Sequence, residues 1–224
     1  MKKEKDNILQ IDDTRYKLDT ANPIVVRITS ETDESRWGTG IVVAPNKVLT
    51  AAHVLKLSNL IIYQGEHKGT SRKTFTISSA KRHPEYIWHG PDRYLHDLAV
   101  LTTNEAFDTY GSFGHVEYDL LLHSLQWIGY PHDLIEKDGE ISQWGTDLIE
   151  FGESKIDSLI VKLPVISTAG QSGSGLIDIT EPDTKRIIGV LVGGSGYGSK
   201  DTIFTLLRGS NFDFVYEEVV SDIK

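Results

Sequence analysis

The chain contains no cysteine. A disulfide scaffold, a thiolate zinc site and a cysteine nucleophile are therefore excluded. The compartment stays open, because a cysteine-free protein is at home in the cytosol and outside a cell alike. Long apolar runs are missing too. None approaches the roughly 18 residues that a membrane-spanning helix needs. Positive charge is in deficit: 23 Lys and Arg stand against 32 Asp and Glu, for a net charge of −9. Such a surface repels a phosphate backbone, which argues against nucleic-acid partners. The N-terminal Lys2 and Lys3 precede no apolar h-region, so the chain as given carries no secretory signal.

What is present is a chain of 224 residues. At about 150 residues per domain, that is one large all-β domain or two small lobes. Hydrophobic residues at 39% and charged residues at 25% describe a folded chain. Residues 1–22 are polar and read as an arm before the core. From Pro23 onward, short β-branched runs alternate with turn signals. They are Ile24–Ile28, Gly40–Ala44, Val48–Ala52, Leu60–Tyr63, Leu98–Leu101, Leu125–Ile128, Leu159–Val161, Gly175–Ile177, Ile187–Val192 and Ile203–Leu206. Runs of this length predict strands, and no strand–helix alternation points to a parallel sheet. One helix is predicted at the C-terminus, with Ser210-Asn211 as cap and Phe214, Val215, Val219 and Ile223 along one face. Residues 103–123 and 129–140, richer in Gly, Asp, His and Pro, are candidates for a join between lobes.

Three segments carry chemistry together. Thr50-Ala51-Ala52-His53 follows one strand, His96-Asp97 precedes another, and Gly170-Gln171-Ser172-Gly173-Ser174-Gly175 forms a small-residue turn. Singly, a histidine after a strand is ordinarily structural, an Asp before one is a cap, and a glycine-rich stretch is a turn. Jointly they supply the parts of acyl transfer: hydroxyl nucleophile, imidazole base and orienting carboxylate. Gly170 leaves its backbone N–H unobstructed, and that group and the Ser172 N–H can converge on one oxyanion. Chain order separates the folds that use such a triad. No histidine follows His132, and position 174 breaks G-x-S-x-G, so the α/β-hydrolase order of Ser, acid, His is excluded.

These three blocks resemble the signatures of chymotrypsin-fold serine proteases. The Gly-x-Ser-Gly-Ser ending, the absence of cysteine, Trp127-Ile128-Gly129-Tyr130-Pro131, Ile188-Gly189-Val190 and the C-terminal helix are similar to the bacterial branch. That branch holds V8-like glutamyl endopeptidases, Spl proteases and exfoliative toxins. The resemblance spans roughly residues 20–220. It implies two six-stranded antiparallel β-barrels followed by a C-terminal α-helix. The first lobe would span 23–115 and the second 116–224. It implies a triad of His53, Asp97 and Ser172 in the cleft between them, with Gly170 and Ser172 as oxyanion donors. It implies a monomer that cleaves proteins or peptides without cofactor, metal, nucleic acid or membrane. Secretion as a mature form is the expected localisation, with the cytoplasm as alternative. The alternative function is a latent or non-catalytic relative, similar to the exfoliative toxins, that binds a specific protein.

Two positions depart from the family. Digestive relatives place an Asp before the serine and pair it with a new N-terminal amine; Gln171 cannot form that ion pair. Glutamyl endopeptidases read the substrate carboxylate with a hydroxyl, here Ser167, and a histidine, whose position is occupied by Leu191. A pocket of Ile166, Ser167, Leu191 and Gly193 would compensate a buried Glu side chain poorly. The expected P1 residue is therefore uncharged, with Lys200 as the one cation placed to reverse that preference. Gly193–Lys200 has part of the spacing of a phosphate loop, but Ser and Lys stand in reverse order and no helix pattern follows. His83, His89 and His96 match no metal-ligand spacing.

Overall fold

The computed structural model describes residues 13–70, 73–116, 123–146, 149–150, 159–181, 183–194 and 201–220. Strand β1 (Arg15–Lys17) opens the described chain and pairs at the edge of the second lobe. The first lobe follows as a closed antiparallel barrel. Its strands are β2 (Val25–Ser30), β3 (Trp37–Ala44), β4 (Lys47–Thr50), β5 (Leu60–Gln64), β6 (Lys73–Arg82) and β7 (Ala99–Thr103). They run in the spatial order β2-β3-β4-β7-β6-β5. The interior is filled by Val26, Ile28, Val48, Leu49, Ile62, Phe75 and Leu101. Gly40 sits where a side chain would collide with Val48 and Ile28, which lets the small barrel close around them. Arg27, fully buried on β2, is neutralised by Glu66 at 2.6 Å and Glu34 at 3.0 Å.

Residues 104–116 cross to the second lobe. Gly111 N–H donates to Val42 O in the first lobe, and Val116 N–H to Leu207 O in the second. The second lobe is a curled antiparallel sheet of β8 (Ser124–Gly129), β9 (Trp144–Thr146), β10 (Ile149–Glu150), β11 (Ile160–Leu163), β12 (Gly175–Asp178), β13 (Arg186–Gly193) and β14 (Thr202–Leu206), with β1. The order is β1-β9-β8-β12-β13-β14-β11, and β10 pairs with β8. Its core holds Leu125, Trp127, Val161, Leu176, Ile188, Leu191 and Phe204. Among the described residues no helix is long and apolar enough to cross a membrane.

The two-lobed all-β architecture expected from the sequence is present, with differences of detail. Among the described residues the second lobe is a curled sheet of eight strands, where a six-stranded barrel was expected, and β1 and β11 end the described ladder unpaired to each other. The segment read as a free arm supplies β1, held by backbone pairing of Arg15 to Thr146 and Lys17 to Trp144. Within 129–140 lies helix α1 (His132–Asp138) rather than a join between lobes. Helix α2 (Ser210–Val220) forms as expected, but Phe214, Val215 and Val219 pack with the first-lobe core. Asn211 is buried inside α2 rather than capping it. Its side chain donates to Leu95 O at 2.8 Å and Leu206 O at 3.1 Å. Ile223 and residues 195–200 lie outside the described residues.

Candidate active site

The end of β4 and the start of β7 are neighbours, with Thr50 opposite Ala99. One residue beyond Thr50 the chain tightens into a 3₁₀ turn, Ala52–Lys56, that carries His53. Just before β7 stands Asp97, 2% exposed. The antiparallel register thus delivers imidazole and carboxylate to the same end of the barrel. Asp97 grips His53 twice. The His53 backbone N–H donates to Oδ1 at 2.9 Å, and Nδ1 lies 2.6 Å from Oδ2. A carboxylate oxygen only accepts, so the proton of this bond sits on Nδ1 and leaves Nε2 as acceptor. Burial first, and the Asp97 charge second, push the nearby Tyr86 phenol well above its ordinary value.

Ser172 reaches the same place from the second lobe. It lines a cavity of about 400 Å³ together with His53, Trp37, His132, Ala169 and Gly170. Among the described residues no hydrogen bond joins Ser172 Oγ to His53; such bonds tighten when substrate binds. A second cavity of about 290 Å³ is lined by His53 and Asp97 with Tyr86, Trp88, Tyr94 and Val192.

The serine loop is clamped to the first lobe through Thr39 of β3. Thr39 N–H donates to Ser172 O at 2.7 Å, and Thr39 Oγ1 donates to Gly170 O at 2.8 Å. Thr50 Oγ1 in turn donates to Thr39 O at 2.7 Å. The Ala169 carbonyl is taken by the His132 N–H at 2.8 Å. In a trans peptide C=O and N–H point opposite ways, so Gly170 N–H faces away from His132. Gly170 N–H and Ser172 N–H have no partner among the described residues. Two free donors flanking one residue beside a hydroxyl are the physical requirement for holding an oxyanion.

Two glycines make this loop possible. Gly170 has φ +87°, and a Cβ there would lie 2.3 Å from Tyr130 O. Gly173 has φ +95°, and its Cβ would lie 1.9 Å from Thr39 O and 2.2 Å from Thr50 Oγ1. Gly173→Ala combines left-handed strain with a clash against buried backbone. It is expected to destabilise the fold by about 3 kcal/mol or more, read as the shift of a urea unfolding curve.

The four residues expected to line the P1 pocket are all among the described residues, while the facing segment 195–200 is not. Leu191 is 1% exposed and packs in the second-lobe core with Trp127 and Phe204. Ser167 is buried, and its Oγ accepts from Thr202 Oγ1 at 2.8 Å. Gly193 faces the Tyr94 ring, and Ile166 is half-buried. A Cβ on Gly194 would come within 2.1 Å of Ser167 Oγ, so these two walls touch. Lys200 lies outside the described residues. His83 and His96 stack at 4.6 Å and take protein partners: His83 Nε2 donates to Ser210 O, and His96 Nδ1 donates to Asn211 Oδ1.

Sequence reasoning missed Thr39, Trp37 and His132. Trp37 Nε1 donates to Tyr130 O at 2.8 Å, and its ring stacks on His132 at 4.7 Å, which completes the frame around Gly170. One signal was available. Gly38 and Gly40 flank Thr39 in the sequence, and a Cβ on Gly38 would come 3.1 Å from Ser172 O. Alternating glycines in a strand mark a close backbone approach.

The family described as Trypsin matches residues 11–208 of this chain. No curated protein matches it in sequence. Among solved structures, one that matches is a Glu endopeptidase in complex with MPD. Its TM-score is 0.77 at 23% identity, over 93% of this chain and 98% of that one. At that identity the likeness speaks for the two-lobed fold. The family match extends from the edge of β1 to the turn before α2 and takes in all three chemistry-bearing segments. On that span the chain belongs to the trypsin family of serine proteases.

Proposed function

We propose that the protein is a serine endopeptidase of the bacterial V8-like branch, with Ser172 as nucleophile, His53 as general base and Asp97 as its orienting carboxylate. The observation that carries this reading is the doubly anchored His53–Asp97 pair, at 2.6 and 2.9 Å, facing Ser172 across one cavity. Ser172 Oγ attacks the scissile carbonyl as His53 Nε2 takes its proton. Gly170 and Ser172 N–H hold the oxyanion. The imidazolium then protonates the leaving amine, and water releases the acyl-enzyme by the reverse proton path. The Ala169 carbonyl, turned to His132 and out of the hole, favours a resting site ready for catalysis over a latent one. The test is labelling by a fluorophosphonate probe, expected on Ser172 of the native chain. An unlabelled, correctly folded protein would overturn the reading in favour of a binding module.

The preferred P1 residue is uncharged. The groups at the expected pocket are aliphatic at Ile166 and Leu191 and hydroxyl at Ser167. A buried carboxylate without a cation costs several kcal/mol, on the order of the penalty for an unpaired buried charge. In a P1-randomised peptide library, cleavage after small or apolar residues is expected to dominate. Dominant cleavage after Glu sinks the preference while leaving the triad standing.

A further inference from the structure

One buried charge serves no purpose in the chemistry above. Arg15, on a three-residue strand at the edge of the second lobe, has a side chain only 2% exposed. Its guanidinium reaches four partners. Nε and Nη2 donate to the Asp13 carboxylate at 2.9 and 2.8 Å, and Nη2 and Nη1 donate to the Asp133 carboxylate at 2.7 and 3.1 Å. Nη1 also donates to Thr168 Oγ1 and to Gln171 Oε1, both at 3.2 Å. A fork with all five donors used is held rigidly, and a buried guanidinium that loses one acceptor is penalised heavily.

The partners are the telling part. Gln171 lies between the two residues whose N–H groups face the cavity, and it is fully buried. Its Oε1 also accepts from Thr168 N–H at 3.0 Å, while its Nε2 has no partner among the described residues. The side chain is therefore anchored through its oxygen alone, by Arg15 and the Thr168 amide. Asp133 follows His132, whose N–H turns the Ala169–Gly170 peptide. One guanidinium thus ties together the two segments that decide where the Gly170 and Ser172 N–H groups point. Arg15 also lowers the pKa of both acids. At Asp13 its hydrogen bond is the main cause. At Asp133 burial pushes the other way, and the Arg15 and Thr168 hydrogen bonds outweigh it.

We propose that Arg15 is a positioning residue: from the N-terminal strand, and through Gln171 and Asp133, it sets the orientation of the oxyanion-binding N–H pair. The inference rests on the assignment of Gly170 and Ser172 as oxyanion donors. Loss of Arg15 leaves His53, Asp97 and Ser172 untouched, so substrate binding survives and stabilisation of the tetrahedral state is what falls.

The experiment compares native chain, Arg15→Gln, Arg15→Lys, Gln171→Met and the Arg15→Gln/Gln171→Met double variant on one peptide substrate, with Ser172→Ala as blank. Arg15→Gln is expected to lower kcat about 10²-fold, like the loss of one oxyanion donor, with KM within about threefold. Affinity for a peptide aldehyde, whose adduct carries the oxyanion, should fall by the same factor, and affinity for the non-covalent product peptide should hold. The double variant should be no slower than the slower single variant, because both changes break one linkage. Arg15→Lys keeps the charge but loses the fork, so an intermediate kcat at near-native melting temperature is expected. Native kcat in Arg15→Lys with a lowered melting temperature would overturn the proposal, and it decides the matter if Arg15→Gln does not fold. So would a loss in Arg15→Gln confined to KM, or strictly multiplying losses in the double variant. A native chain no faster than Ser172→Ala would instead overturn the triad assignment on which the inference stands.

Discussion

Replacing Ser172 with alanine is expected to lower kcat by on the order of 10⁶ and to abolish fluorophosphonate labelling, with the melting temperature unchanged. The loss is large because, among the described residues lining the cavity, no other hydroxyl is held beside His53. Ser35, the other hydroxyl residue lining that cavity, is exposed and hydrogen-bonded to Asp33. The fold is spared because Ser172 contributes to it through its backbone. Its carbonyl accepts from Thr39 N–H, and its Oγ has no hydrogen bond among the described residues. Residual hydrolysis by the variant, from the oxyanion site and substrate binding alone, should still exceed the uncatalysed rate by about 10³-fold. Single-turnover kinetics on the substrate chosen from the P1 library reads both quantities. Activity within about tenfold of native in Ser172→Ala would remove Ser172 from the mechanism.

The site was legible where chemistry needs a particular residue type, and not where it needs a shape. His53, Asp97 and Ser172 stand out because few sequences place these three in this order with small residues around the serine. Their juxtaposition then follows from β4 pairing β7 and from Thr39 reaching across the lobes. The P1 pocket is a matter of shape. Leu191 occupies the position the family pattern assigns to the pocket, yet its side chain packs among core residues. A residue's place along a strand can be read from its neighbours in the chain, while the twist of the sheet decides how much of its side chain reaches the cleft.

The same distinction runs through the fold. The buried strands β2, β3, β4 and β13 announce themselves by β-branched runs, since both of their faces are covered. Strand β6 does not. Lys73–Arg82 is largely exposed, with Phe75 as its one fully buried side chain, and its sequence reads as polar. Strand β1 is polar as well, and backbone pairing with β9 defines it. Edge and surface strands are set by hydrogen bonding to a neighbour that the sequence does not name.

Asp97→Asn separates orientation from charge, and its effect is the second largest expected. The Asp97 carboxylate accepts two hydrogen bonds, from the His53 backbone N–H and from Nδ1–H. An amide offers one oxygen and one NH₂. The backbone N–H can only donate, so the oxygen must face it, and the NH₂ is left facing the imidazole. His53 can answer by moving its proton from Nδ1 to Nε2. The geometry of the pair is kept, at the cost of one amide N–H that meets no acceptor among the described residues. The base, however, now presents N–H toward Ser172 and cannot take its proton. A fall in kcat on the order of 10⁴ follows, with KM little changed and the fold intact. Fluorophosphonate labelling should slow by a similar factor, since it needs the same deprotonation. Asp97→Ala tests the argument from the other side. It leaves the backbone N–H of His53 without an acceptor in a buried site, so it should lose stability as well as rate. If Asp97→Asn labels at the native rate, the tautomer of His53 does not limit the reaction, and the carboxylate acts in holding the 3₁₀ turn alone.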